Sequence, residues 1–114
     1  MIPLGHSRVS GAFPVSSSSD APTLLCTVPE SAGTPAEITV RNTNALAVMY
    51  LRWRESGSGT LVKTTDFGIY LGNFEGFTWN NPPRGAELVA LSSVAGALIA
   101  VDANWCNTDV EELT

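Results

Sequence analysis

Leu46-Ala47-Val48-Met49-Tyr50-Leu51-Arg52-Trp53-Arg54 is the stretch on which the fold turns. Read at a period of two, Ala47, Met49, Leu51 and Trp53 share one face, and Val48, Tyr50, Arg52 and Arg54 share the other. The first face is apolar throughout, while the second begins apolar and ends cationic. That alternation is the mark of a strand laid over a core. It predicts a central strand with Ala47, Met49, Leu51 and Trp53 inward. Upstream, Asn42-Thr43-Asn44 makes a turn, and Glu37 to Thr43 alternates with Ile38 and Val40 on one side. Further upstream, Thr23 to Val28 is a short strand stopped by Pro29, and Glu30 to Pro35 reads as a loop. Downstream, Ser56-Gly57-Ser58-Gly59 is a flexible hairpin loop, followed by short strands over Leu61–Thr64, Ile69–Leu71 and Phe77–Trp79. Asn80 to Gly85 is the clearest loop in the chain, and Ala86–Ser92 and Leu98–Ala103 are the last two strands. A helix across Glu87 to Val101 is the one rival, since Leu88, Leu91, Ala95 and Leu98 fit its period; Gly96, the Ser92-Ser93 pair and the strand-prone residues weigh against it.

Strands of this length and spacing predict an all-β fold, an antiparallel β-sandwich or jelly-roll of about eight short strands. Residues 1–22 are punctuated by Pro3, Gly5, Gly11, Pro14 and Pro22 and read as an extended N-terminal arm. The sandwich is expected over 23–106, and 107–114 form an acidic tail through Asp109, Glu111 and Glu112.

The whole composition agrees. A chain of 114 residues and 12.0 kDa makes one domain. Val, Ile and Thr supply 25 residues and Gln none, a balance that favours strands over helices. Only 15% of residues are charged, the net charge is −5, and Lys63 is the single lysine. Such a chain has no electrostatic footprint for nucleic acid or an anionic membrane. Met1 to His6 lacks a basic region followed by an apolar run, so no secretory signal is expected. Leu88 to Val101 is shorter than the roughly 20 apolar residues of a span. Cys26 and Cys106 lie far apart and read as two buried thiols of a protein made in the cytoplasm, in preference to a disulfide.

Catalytic constellations fail one by one. His6, the only histidine, sits in the arm; Ser58 lacks the Gly-x-Ser-x-Gly frame of a nucleophile elbow. Glu87 and Asp102 could stand on neighbouring strands, but two outward sheet carboxylates are commoner than an acid–base pair. No metal spacing and no phosphate-binding glycine loop occurs, and no cofactor is expected. Trp53, Trp79, Trp105, Tyr50 and Tyr70 could stack on sugar rings, against the plainer expectation of packing duty.

From Glu37 to Asp102 the order of signals resembles the capsid decoration, or cement, proteins of tailed bacteriophages and other small all-β virion proteins. The likeness rests on the strand closing at Asn42-Thr43-Asn44, the apolar strand Leu46–Trp53 and the segment Thr64-Thr65-Asp66-Phe67-Gly68-Ile69-Tyr70-Leu71. A final pair, Leu88-Val89-Ala90-Leu91 and Leu98-Ile99-Ala100-Val101, completes it. The resemblance covers somewhat over half the chain, and residues 1–22 lie outside it. It implies a sandwich without enzymatic activity, bound to the major capsid protein on the outer surface of a virion, often as a homotrimer. A carbohydrate-binding module, or a head-fibre or tail component that recognises a receptor glycan, is the alternative.

Two interface expectations follow from the residues themselves. Tyr50, Arg52 and Arg54 share a strand face and pair the residue types enriched at interface anchors, so they are expected to meet a partner. The competing expectation is that these arginines pair with Glu37 or Glu55. In the arm, Ile2, Leu4, Val9, Phe13 and Val15 are too many apolar residues for a solvated tail, and they are expected to bind in trans on a neighbour. The competing expectation is that the arm covers an edge of its own sheet.

Overall fold

In a computed structural model, residues 6–18, 21–55 and 68–107 are described. Eight strands run through them: β1 (His6–Val15), β2 (Thr23–Val28), β3 (Ala32–Asn42), β4 (Met49–Glu55), β5 (Ile69–Leu71), β6 (Gly76–Asn80), β7 (Ala86–Ser92) and β8 (Ala97–Asn107). All pairings are antiparallel, and they nest: β1 with β8, β2 with β7, β3 with β6, β4 with β5. Two further pairings, β3 with β8 and β4 with β7, join these into sheets of order β1-β8-β3-β6 and β2-β7-β4-β5. A long hairpin rolled up on itself gives this order, and it is the jelly-roll form of the sandwich. The helix across Glu87–Val101 is overturned, since β7 and β8 fill that stretch on opposite sheets.

The core lies between the sheets. Val40, Ile99 and Val101 from the first sheet meet Met49, Leu51 and Leu88 from the second, all buried. The parity at β4 stands as the sequence predicts: Ala47, Met49 and Leu51 are buried, and Trp53 is half-buried against the same core. The strand starts later than expected, at Met49, which leaves Leu46 in the preceding loop and exposed. Likewise β3 begins at Ala32, inside the expected loop. Its pairing with β8 shifts register between Gly33 and Ala36, so the strand passes Pro35, which lacks a ladder donor, as an irregularity.

The arm needs the largest correction. His6–Val15 pairs residue for residue with β8, from His6 opposite Cys106 to Val15 opposite Ala97. Val9, Phe13 and Val15 face this protein's own core, Val15 fully buried. The alternation is present after all, because Val9, Phe13 and Val15 share one parity; Gly11 takes the fourth inward place and interrupts the apolar series. Pro14 is tolerated because β1 is an edge strand, where a missing N–H breaks little. Ile2, Leu4, Ser58, the Leu61–Thr64 strand and the acidic tail beyond Asn107 lie outside the described residues.

Candidate functional site

The outward face of the second sheet is built by cross-strand register. One row runs Leu24, Val89, Arg52 across β2, β7 and β4; the next runs Leu91, Tyr50, Tyr70 across β7, β4 and β5. A sandwich strand facing water on one side should alternate in burial. β7 does not, for Leu88 through Ser92 are all buried, Val89 and Leu91 on the side away from the core cluster. Around them Leu24 and Tyr70 are exposed, and Tyr50 and Arg52 are half-buried. The Tyr50 and Tyr70 rings meet edge to face, 5.6 Å between centroids.

Arg54 does not join this surface as a free cation. Its Nε donates to Glu87 Oε1 at 2.8 Å, and the two side chains are only 17% and 12% exposed. Glu87 stands directly opposite Arg54 in the β4–β7 register and is a partner the sequence reading did not name. Of the eight residues expected at an interface, then, Tyr50 and Arg52 stand together on an accessible face. Arg54 is committed to an ion pair, and Val9, Phe13 and Val15 are spent on the core. Leu24 and Tyr70 also belong to the face; Tyr70 was named only as a candidate for sugar stacking, and Leu24 was missed.

A second surface lies at one end of the sandwich. The β3–β4 loop and the β7–β8 turn meet there, and the buried Asn42 amide ties the end together. Asn42 Nδ2 donates to the carbonyls of Ala47 (2.7 Å), Gly72 (3.0 Å) and Leu71 (3.3 Å), while Oδ1 accepts from Asn44 N (3.0 Å) and Asn44 Nδ2 (2.9 Å). Thr43 Oγ1 and Asn44 Nδ2 both donate to the Leu98 carbonyl, fastening the loop to β8. Gly96 turns the other connection with φ of 80°, which only glycine adopts without strain. Leu46 (91% exposed) and Val94 (49%) stand on these loops, with Phe74 (54%) in the neighbouring β5–β6 turn and Leu98 (44%) at the start of β8. A shallow depression of about 380 Å³, floored by Ala45, Ala47, Ala95 and Ala97, lies between Leu46 and Val94. Phe74 has φ of 61°, an unusual conformation for a bulky side chain. The opposite pole, where His6 pairs with Cys106, carries Glu30 and Arg84 in its loops.

The reactive residues do not converge. Glu87 and Asp102 stand on different sheets; Asp102 receives Arg8 Nε at 3.1 Å and Nη2 at 3.0 Å. Burial pushes the Cys26 thiol up to about 11, away from the nucleophilic thiolate, and no disulfide joins it to Cys106. Among the described residues no cluster of three metal-ligating side chains forms, and no helix is long and apolar enough to cross a membrane. Trp105 is buried; Trp53 meets Trp79 at 79° and Phe77 meets Trp79 at 59°, so these rings do not offer one flat platform to a pyranose. Comparison of the chain with protein-family models, with curated proteins and with solved structures found no match.

Proposed function

We propose that this chain is a non-catalytic structural protein of a tailed-bacteriophage virion, one that decorates the outer capsid surface and bridges neighbouring capsid subunits. The reading is carried by the outward face of the β2-β7-β4-β5 sheet, where Leu24, Tyr50, Tyr70 and Arg52 stand around apolar Val89 and Leu91. Tyrosine offers a rigid apolar ring with a polar tip, and arginine a planar fork; both are enriched where proteins meet. Jelly-rolls serve capsids, lectins and enzymes alike, so the face rather than the fold supports the reading. Val89 and Leu91 are themselves buried, so the contact area of this face comes from exposed Leu24 and Tyr70 with half-buried Tyr50 and Arg52. In a molecule of net charge −5 it docks with little help from long-range attraction.

The mechanism is mass action. A site that spans a seam exists only in the assembled shell, so every bound copy favours assembly; at 100 times Kd this amounts to about 2.7 kcal/mol per site. Co-sedimentation with capsids reconstituted from the co-encoded major capsid protein tests it. Tyr50→Ala with Arg52→Ala should abolish co-sedimentation while the melting temperature stays within a few degrees of the parent. Undiminished occupancy by the double variant overturns the reading.

A further inference from the structure

We propose that the apolar pole is a self-association surface, on which a second copy of this chain docks about a two-fold axis. The patch holds a knob and a hole side by side. Leu46 projects at 91% exposure from a loop fixed by Asn42 and Asn44, and it forms one rim of a shallow, open depression of about 380 Å³ with Val94 on the other side and alanines between. A two-fold axis between them sets each knob into the other copy's hole, which is the self-complementarity an isologous interface requires.

Charge selects the same occupant. Residues 43–48 and 93–98 contain no charged side chain, although the chain as a whole carries −5. Two like-charged copies approach most easily where neither is charged. Glu75, the nearest carboxylate of the adjoining 72–75 turn, is held by the Gly72 N–H at 2.5 Å. Loop rigidity favours the contact too, since hydrogen-bonded loops lose little freedom on docking. Leu46, Phe74, Val94 and Leu98 together expose roughly 400–500 Å² per copy, so the pair buries at most about 1,000 Å², at or under the low end of specific interfaces. The association is therefore weak and concentration-dependent. It does not depend on what the Tyr50 face binds, and a bridging protein gains from it, because two tethered capsid contacts raise avidity.

Sedimentation equilibrium of the whole chain between micromolar and millimolar concentration tests the proposal. The expected weight-average mass rises from 12.0 kDa toward twice that value. Leu46→Asp should stay monomeric throughout with an unchanged melting temperature, because the side chain touches little of its own fold. Ala95→Phe, which fills the hole and leaves the knob, should also stay monomeric. A parent chain that remains monomeric at 1 mM overturns the proposal. A trimer, or a Leu46→Asp variant that associates like the parent, overturns it equally. Capsid co-sedimentation of Leu46→Asp separates the two readings: it persists if only the self-contact is lost.

Discussion

Asn42 is a fully buried polar side chain, and it is the residue whose loss should be felt most. Its amide satisfies three carbonyls and takes two N–H groups, so Asn42→Ala strands several buried polar groups at once. Each such group costs about 1–3 kcal/mol, and a total loss of about 3 kcal/mol or more is expected in a urea titration. Asn42→Asp should be worse than alanine, since it turns a carboxylate toward the carbonyls of Ala47, Leu71 and Gly72; equal stability of the two variants would contradict that account. Cys26 gives a pH dependence of known sign. The unfolded thiol ionises near 9.0 and the buried one near about 11. Between these values the unfolded chain gives up a proton that the folded chain keeps, so stability falls as pH rises through that window and is unaffected below it. The loss reaches about 2–3 kcal/mol at the top of the window. Denaturation of the parent and of Cys26→Ala at pH 8 and pH 10.5 isolates it: the difference between them should shrink at the higher pH.

Among the strands, β1 gives the clearest test. Ten of its residues pair with β8, and it supplies Val15 to the core. A chain beginning at Ala21 is therefore expected to unfold or aggregate in isolation, as judged by circular dichroism and light scattering; a stable monomer would return β1 to the role of a detachable arm. What the sequence disclosed follows the same lines. β2, β5 and β7 were legible residue for residue, because each is a short run closed by proline, glycine or a polar turn. β1 was not, since Gly11 sits at an inward position and hides the alternation of Val9, Phe13 and Val15. β3 was read short because Pro35 looks like a terminator and is in fact crossed by a register shift. Tyr50 and Arg52 were legible as one face from parity alone. Leu24 was not, because the irregularity between Leu24 and Cys26 resets the parity of β2 and leaves both Leu25 and Cys26 inward.

The molecule as a whole is polarised. Leu46, Phe74, Val94 and Leu98 gather at one end, while β1 begins and β8 finishes at the other. That division was invisible in the sequence, because it arises only when loops far apart in the chain are brought together by nested pairing. A protein fused at either end should therefore leave self-association intact, which the sedimentation experiment can check directly. The nesting also has a consequence for how the protein is made. Of the described strands, β1 leaves the ribosome before all the others, and its partner β8 after all the others. At about 5–20 residues per second, the pairing edge of β1 waits roughly 5–20 s for the strand that satisfies it. Among the described strands only β4 and β5 pair with a sequence neighbour; the β2-β7-β4-β5 sheet can close once Ser92 is out, whereas the β1-β8-β3-β6 sheet waits for β8. Synthesis that stalls before Ala97 should leave a nascent chain whose β2-β7-β4-β5 sheet can form but whose β1 and β3 lack the strand between them, an open-edged species of the kind that chaperones hold and that otherwise aggregates.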